Sequence, residues 1–204
     1  MIPDLEARGL IMGADGRARP QWAHGSNLMR AYYDTEWGAV ITDEQSIFER
    51  LVLESFQAGL SWEIVLKKRA AFRRAFKDFD PEKVAHFGAK DIERMAADTD
   101  IIRNTRKISA AITNARATLA LRAHDEGDLA NLVWSYAPQP RPRPQNAADI
   151  PTNSPESRAL SSALKKHGFV FIGPTTIYSL MQAIGMVDDR ISGAADLIPT
   201  EKSD

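Results

Sequence analysis

From about residue 26 to residue 185, apolar side chains recur every three or four positions in one segment after another, the spacing of a buried helix face. Ser26-Asn27 can cap a short helix through Tyr33. Thr42-Asp43-Glu44-Gln45 reads as a capping box with Thr42 at the cap, and Ile47, Phe48, Leu51, Val52, Ser55 and Phe56 then form one stripe. Gly59 interrupts that helix, and Ser61 can start another through Lys67-Lys68-Arg69 to Phe76 or Lys77. Asp80-Pro81 opens a short helix, proline being tolerated in a first turn, and Lys90-Asp91 opens one that ends near Ala97 or Asp98. A tight apolar turn, Asp100 to Asn104, precedes a long helix from about Thr105 to Ala123, in which Ile108, Ala111, Ile112, Ala115 and Leu119 keep period. Asp128 to Tyr136 is another short helix. Ser154-Pro155-Glu156 starts one that Gly168 stops, and Thr175 or Thr176 leads the last, through Ile177, Leu180, Met181 and Ile184 to Gly185.

Three stretches fall outside this rhythm. Residues 1–20 show no period and read as a loose N-terminal arm. Pro138, Pro140, Pro142 and Pro144 make 137–153 an extended, solvated loop, since no helix or central strand holds that many prolines. Residues 192–204 are weakly patterned and read as an irregular tail. Almost nothing alternates with period two and no repeat is visible, so the expected fold class is all-α, with residues 1–204 as one domain.

Composition narrows the chemistry. Zero cysteines excludes disulfides, thiolate nucleophiles and cysteine-based zinc or iron–sulfur sites. No apolar run approaches the roughly 18 residues of a membrane span, and no signal-peptide core is present, so a cytoplasmic protein without membrane contact is expected. A formal net charge of -1 argues against a large non-specific DNA footprint but not a small one; a DNA-binding reading must rest on local clusters.

The sharpest local feature is Glu54, which borders the stripe from Ile47 to Phe56. Desolvating an unpartnered charge costs several kcal/mol, so such an acid is either a functional group with a raised pKa or a structural carboxylate paired to an arginine or a helix N-terminus. Trp22, Tyr32, Trp37 and Trp62 all precede residue 63 and offer flat faces with polar handles, suited to stacking on a purine or, singly, to ordinary core packing. The turn from Asp100 to Lys107, with Arg103, Arg106 and Lys107, can aim backbone N–H groups at a phosphate, or be an ordinary helical hairpin. Lys67-Lys68-Arg69 and Arg73-Arg74 can steer DNA, although a charged outer face is the plainer reading. His24, His86, His124 and His167 show no ligand spacing.

Tyr32 to Gly38 (Y-x-D-x-E-W-G), Leu53 to Trp62 (L-E-x-x-Q-A-G-L-S-W), Val65 to Arg69, Ile101 to Lys107, Ser162 to Gly168 and Gly173 to Ala183 together resemble the DNA-3-methyladenine glycosylase I family of the helix–hairpin–helix superfamily, over roughly Gln21 to Val187. The resemblance implies a bilobal helical bundle that flips 3-methyladenine out of alkylated double-stranded DNA and hydrolyses its N-glycosidic bond, without lyase activity and without a cofactor. It implies that Glu54 hydrogen-bonds the flipped base, that Tyr32 and Trp62 line the pocket, that Trp22 stacks and that Trp37 supports it. Gly59 and Leu60 would lie at the DNA gap, and Ile101, Ile102, Arg103, Arg106 and Lys107 would hold the backbone. A monomer needing no protein partner is expected. A non-catalytic damaged-DNA binding module, or a nucleobase-binding protein on the same fold, is the alternative.

The chain departs from the family pattern at several points. The family's zinc positions fall here at about Pro20, Tyr33, Arg190 and Ala194, none a usual ligand, so no metal is expected, and Arg190 bonded to an acid or to Tyr33 is the candidate replacement. Met29 stands where the family has a second pocket tyrosine. Asp100 and Arg106 replace two hairpin glycines, which predicts a turn built differently or a weaker grip on DNA.

Overall fold

The computed structural model describes residues 5–198, and among them nine α-helices carry the fold. These are α1 (Asn27–Thr35), α2 (Glu44–Gln57), α3 (Trp62–Ala75), α4 (Pro81–Ala85), α5 (Ala89–Ala97), α6 (Thr105–Leu121), α7 (Leu129–Trp134), α8 (Pro155–Lys166) and α9 (Pro174–Ala183). Helix α2 is the hub: it packs against α3, α6, α7 and α9, and residues 47 to 56 of it are buried without exception. The core runs through α2 to α9, with Phe56, Phe72, Phe76 and Phe79 in ring contact at its centre.

Side-chain caps start most of these helices, as the sequence predicts. Ser26 accepts from the Met29 N–H at 3.2 Å, Asn104 from Lys107 at 3.2 Å and Asp128 from Asn131 at 2.8 Å, each satisfying an otherwise orphaned donor. At α2 the cap is Asp43, bonded to Ser46 at 2.8 Å, and not Thr42. A carboxylate at that position also opposes the positive end of the helix, which favours it over a hydroxyl one residue earlier. Helix α9 starts at Pro174, a residue before the expected threonines, because proline fits a first turn whose N–H needs no partner. Helix α6 ends at Leu121, two residues short of the expected Ala123.

The described part of the arm, residues 5–20, is not loose; residues 1–4 of the expected arm and 199–204 of the expected tail lie outside the described residues. Leu10–Met12 (β1) and Ala18–Pro20 (β2) form an antiparallel hairpin, so the helical fold carries one small sheet. Strands of three residues are too short to show period two. Their anchors are also distant in sequence: Leu10 is fully buried against Ile191 and Ala194, and the Arg19 guanidinium reaches both carboxylate oxygens of Asp34 at 2.8 and 2.7 Å.

The proline-rich loop and the tail are likewise pinned, although no helix or strand forms in the described tail apart from its bends. Arg141 bonds Asp189 and the Tyr178 hydroxyl, and Arg143 bonds Asp188 and Asp196, both at 2.7 Å. The tail then returns to the N-terminal half, with the Ala195 N–H on the Ala18 carbonyl and the Ile198 N–H on the Asp34 carbonyl, each at 2.7 Å.

Candidate active site

A cavity of about 680 Å³ opens between α1, the C-terminal half of α2, the start of α3 and α9. Trp22, Tyr32, Trp37, Glu54 and Trp62 all line it, so the structure brings together every residue expected in a base pocket. Met29 lines it too, buried beside Tyr32 and Leu66.

Glu54 is 6 % exposed and has no hydrogen-bond partner among the described residues. Arg50 is the basic group that acts on it electrostatically, and that guanidinium is already engaged by Glu36 at 3.2 Å and Glu49 at 3.8 Å. Burial pushes the Glu54 carboxyl up to about 8, with Arg50 only partly opposing the shift. The structural alternative, a carboxylate satisfied by an ion pair, is not what the molecule has built. The hydroxyl of Tyr32 lacks a partner as well, and burial followed by the neighbouring Glu54 holds it firmly in its neutral form. The indole N–H of Trp62 is buried and unbonded. Three side chains that line one cavity therefore carry polar groups without a hydrogen-bond partner among the described residues, an arrangement that the surrounding packing must enforce.

The aromatic walls are rigidly interlocked. Tyr32 and Trp62 meet at 5.4 Å between centroids with their planes 50° apart. Trp22 stands edge-on to Tyr33 at 5.3 Å and to Trp37 at 5.5 Å, while Tyr33 and Trp37 lie stacked at 5.7 Å. Trp22 is 40 % exposed and forms the rim; Tyr32 lies inside. Such offset and edge contacts fix ring planes to within the tolerance that stacking on a flat ligand needs.

Behind that wall sits Arg190. Its guanidinium lies 4.2 Å from the Tyr33 ring centroid and 5.5 Å from that of Trp37, and it donates to the carbonyls of Tyr33 (2.7 Å), Trp37 (2.6 Å) and Ala195 (2.9 Å). Two of these carbonyls lie at the C-terminal end of α1, where a cation also meets the negative end of the helix. The four positions that would hold zinc in the family, Pro20, Tyr33, Arg190 and Ala194, thus present a ring, a guanidinium and two aliphatic side chains, and this donor set does not fit a zinc ion. No group of three or more histidine, aspartate or glutamate side chains among the described residues is placed to hold a metal.

Outside the cavity mouth, Gly59 adopts φ +83° in open space, so it is the backbone conformation and not crowding that asks for glycine. The turn thrusts Leu60 outward, 39 % exposed. The hairpin candidates divide. Arg103 and Arg106 are exposed and form no ion pair among the described residues, whereas the Ile101 side chain is buried in the core and Ile102 packs against it. Lys107 is a correction to the expectation of a phosphate-binding lysine: it is buried, and its ammonium donates to the Phe56 and Ala58 carbonyls at 3.0 and 2.6 Å. It ties the hairpin helix to the Gly59 turn. No residue from 98 to 106 is left-handed, so Asp100 and Arg106 stand in a turn that needs no glycine.

The second basic cluster is mostly spent on structure. Lys68 donates to the Thr99 and Asp100 carbonyls at 2.9 and 3.0 Å, Arg69 clasps both oxygens of Glu36, Arg73 bonds Glu49 and Arg74 lies 3.6 Å from Asp100. Sequence patterning missed Gln57, Thr175, Ser179 and Gln182, which supply polar lining on the far side of the cavity. Their spacing on α9 (175, 179, 182) is that of one helix face, which is the signal that could have found them.

Comparison with known proteins agrees with this geometry. The methyladenine glycosylase family model matches residues 22–196. DNA-3-methyladenine glycosylase 1 of Escherichia coli K12 is 46 % identical over 174 residues, covering 84 % of this chain and 92 % of that protein. A crystal structure of 3-methyladenine DNA glycosylase I superposes with a TM-score of 0.82 at 44 % identity, over 87 % of this chain and 98 % of the other. The Staphylococcus aureus enzyme, solved to explain 3-methyladenine recognition, superposes with a TM-score of 0.79 at 34 % identity, over 83 % of this chain and 91 % of that one. With the family model spanning most of the chain and a relative this similar over nearly its full length, the chain belongs to the methyladenine glycosylase family.

Proposed function

We propose that this protein is a monofunctional DNA glycosylase that releases 3-methyladenine from alkylated double-stranded DNA, acting as a monomer. The observation that carries the reading is Glu54: an acid without a hydrogen-bond partner among the described residues, lining with Tyr32 and Trp62 a cavity wide enough for a purine.

A purine alkylated at N3 carries positive charge while it is still joined to deoxyribose. At about 4 Å and an effective dielectric near 20, a carboxylate attracts it by about 4 kcal/mol, and neutral adenine gains nothing comparable. The raised pKa is consistent with this, because a cation at contact lowers a carboxyl by about 1–3 units and so draws the proton off Glu54 as the lesion enters. The base also stacks against the aromatic wall, worth about 1–3 kcal/mol by analogy with single-strand binding.

Bond breaking needs no general acid. The C1′–N9 electron pair moves onto the base, which leaves neutral. Water adds to the electron-poor C1′ and sheds a proton, leaving an abasic site. Glu54 supports the positive charge as it spreads from base to sugar, and the walls exclude competing water. Wild-type protein is expected to release free base from methylated duplex DNA far above the spontaneous rate, and Glu54→Gln to lower kcat by about 10²–10³ with the fold intact. Release at the spontaneous rate by folded wild type ends the proposal.

A further inference from the structure

The segment 168–173 between α8 and α9 presents an aromatic ring to solvent by elaborate means. Phe169 and Ile172 are buried, while Val170 and Phe171 between them are 39 % and 47 % exposed. Phe171 also sits at φ +58°, a left-handed conformation that bulky residues rarely adopt. Buried polar side chains from three helices hold it there. Asn114 on α6 bonds both the N–H and the carbonyl of Val170 (2.8 and 3.1 Å), the Ser55 hydroxyl on α2, shared with the Leu51 carbonyl (2.8 Å), reaches the Phe171 carbonyl (3.2 Å), and Ser161 on α8 donates to the Ile172 carbonyl (2.6 Å). Strain that the surrounding structure maintains, with an apolar ring left in water as its result, points to a partner for that ring.

Position says which partner. Ser55 directly follows Glu54, and Thr175, four residues beyond Phe171, lines the base cavity. On the other side, Val170 and Phe171 form one wall of a second groove of about 320 Å³ whose opposite wall is the exposed start of α6, with Thr105, Arg106 and Ser109. No carboxylate lines that groove, and Arg106 is unpaired among the described residues. The ring therefore borders the groove that holds an uncommitted cation, on the segment that leads into α9 and its cavity-lining Thr175.

We propose that Phe171 is a positioning residue for duplex DNA, packing its ring against the sugar and base edge next to the extruded nucleotide while Arg106 in the adjoining groove takes a phosphate. This rests on the glycosylase reading but concerns a residue outside the base cavity. An apolar contact and a phosphate contact from one groove would hold the strand in register as the lesion leaves the stack.

The experiment compares wild type, Phe171→Ala and Phe171→Trp for base release from methylated duplex, for titration with a duplex carrying a tetrahydrofuran abasic analogue, and for calorimetric binding of free 3-methyladenine. Phe171→Ala is expected to lower kcat/KM and analogue-duplex affinity at least fivefold, with free-base affinity and melting temperature unchanged and Phe171→Trp close to wild type. Equal duplex affinity and kcat/KM in wild type and Phe171→Ala would overturn the assignment. So would a matching loss of free-base affinity, which would place the ring in the cavity. A wild type that binds the analogue duplex fivefold more tightly than Phe171→Ala yet releases no base supports Phe171 and sinks the glycosylase reading alone.

Discussion

Glu54 sets the pH behaviour of the site. With its carboxyl pushed up to about 8 by burial, the free protein at neutral pH holds it mainly protonated. Because kcat/KM reports the free enzyme, it is expected to climb as pH rises toward a midpoint near 8, and the climb should vanish in Glu54→Gln. A flat profile in wild type would show that ionised Glu54 is not required. The same shift acts on stability with the opposite sign. The folded state binds the proton more tightly than the unfolded chain, so wild type loses stability as pH rises from the ordinary 4.5 toward 8, by at most about 1.4 kcal/mol per unit. Glu54→Gln, which cannot ionise, should therefore melt progressively higher than wild type as pH goes from 5 to 8.5, a contrast readable by thermal denaturation. This residue was conspicuous in the sequence because a charge beside an apolar stripe is costly. What the sequence left open was its pairing, since an arginine one turn earlier could have neutralised it and does so only weakly.

At the scale of the element, the turn between α2 and α3 couples the cavity to the face proposed to meet DNA. Glu54 lies on the last two turns of α2, Gly59 turns the chain at φ +83°, Leu60 projects, and Ser61 caps α3 with its hydroxyl 3.4 Å from the Ile64 N–H. Lys107 closes this assembly from α6 through two carbonyls at the end of α2, where orphaned acceptors and the helix dipole both favour a cation. Lys107→Met should destabilise by about 1.5–3 kcal/mol by leaving those acceptors with a buried, apolar neighbour. It should also weaken duplex binding more than free-base binding, because the turn carrying Leu60 loosens while the pocket floor stays. Equal stability of the variant in urea titrations would refute this bracing role. The helices themselves were plain in the sequence, through period and caps. The task of Lys107 was not: a lysine in the first turn of a hairpin helix looks like a phosphate ligand until the end of α2 is found beside it. Phe171 was hidden for the same kind of reason, since Phe169-Val170-Phe171-Ile172 reads as unbroken core and only the left-handed backbone turns its third residue outward.

Across the described residues, the N-terminal hairpin and the C-terminal segment are fastened by guanidinium groups. Arg19 from β2 clasps Asp34 at the end of α1 and reaches Asp15 at 2.6 and 3.0 Å. Arg190 inserts from the C-terminal side under Tyr33 and Trp37, and the tail hydrogen-bonds back to Ala18 and Asp34. The sequence exposed the missing ligands and offered Arg190, bonded to an acid or to Tyr33, as the substitute; that its planar fork serves three carbonyls and a ring face was not legible, because two of those carbonyls lie 157 and 153 residues away. The clasp predicts that EDTA leaves the melting temperature and base release of the purified protein unchanged. Arg190→Met, by contrast, should cost about 2–4 kcal/mol as the carbonyls of Tyr33, Trp37 and Ala195 lose their donor. In a chain of this size that lowers Tm by about 5–15 °C. Arg190→Lys should recover only part of the loss, since an ammonium cannot lie flat on Tyr33 and serve three acceptors at once. Because Trp37 leans on that guanidinium and Trp22 stands edge-on to Trp37 and Tyr33, tryptophan fluorescence should shift in Arg190→Met below its melting point. The KM for methylated duplex should rise further than kcat falls, the pattern of a disturbed wall and not of a lost charge. Stoichiometric zinc in the purified protein, with a melting temperature that drops on chelation, would show that metal still joins the termini and that the guanidinium only accompanies it.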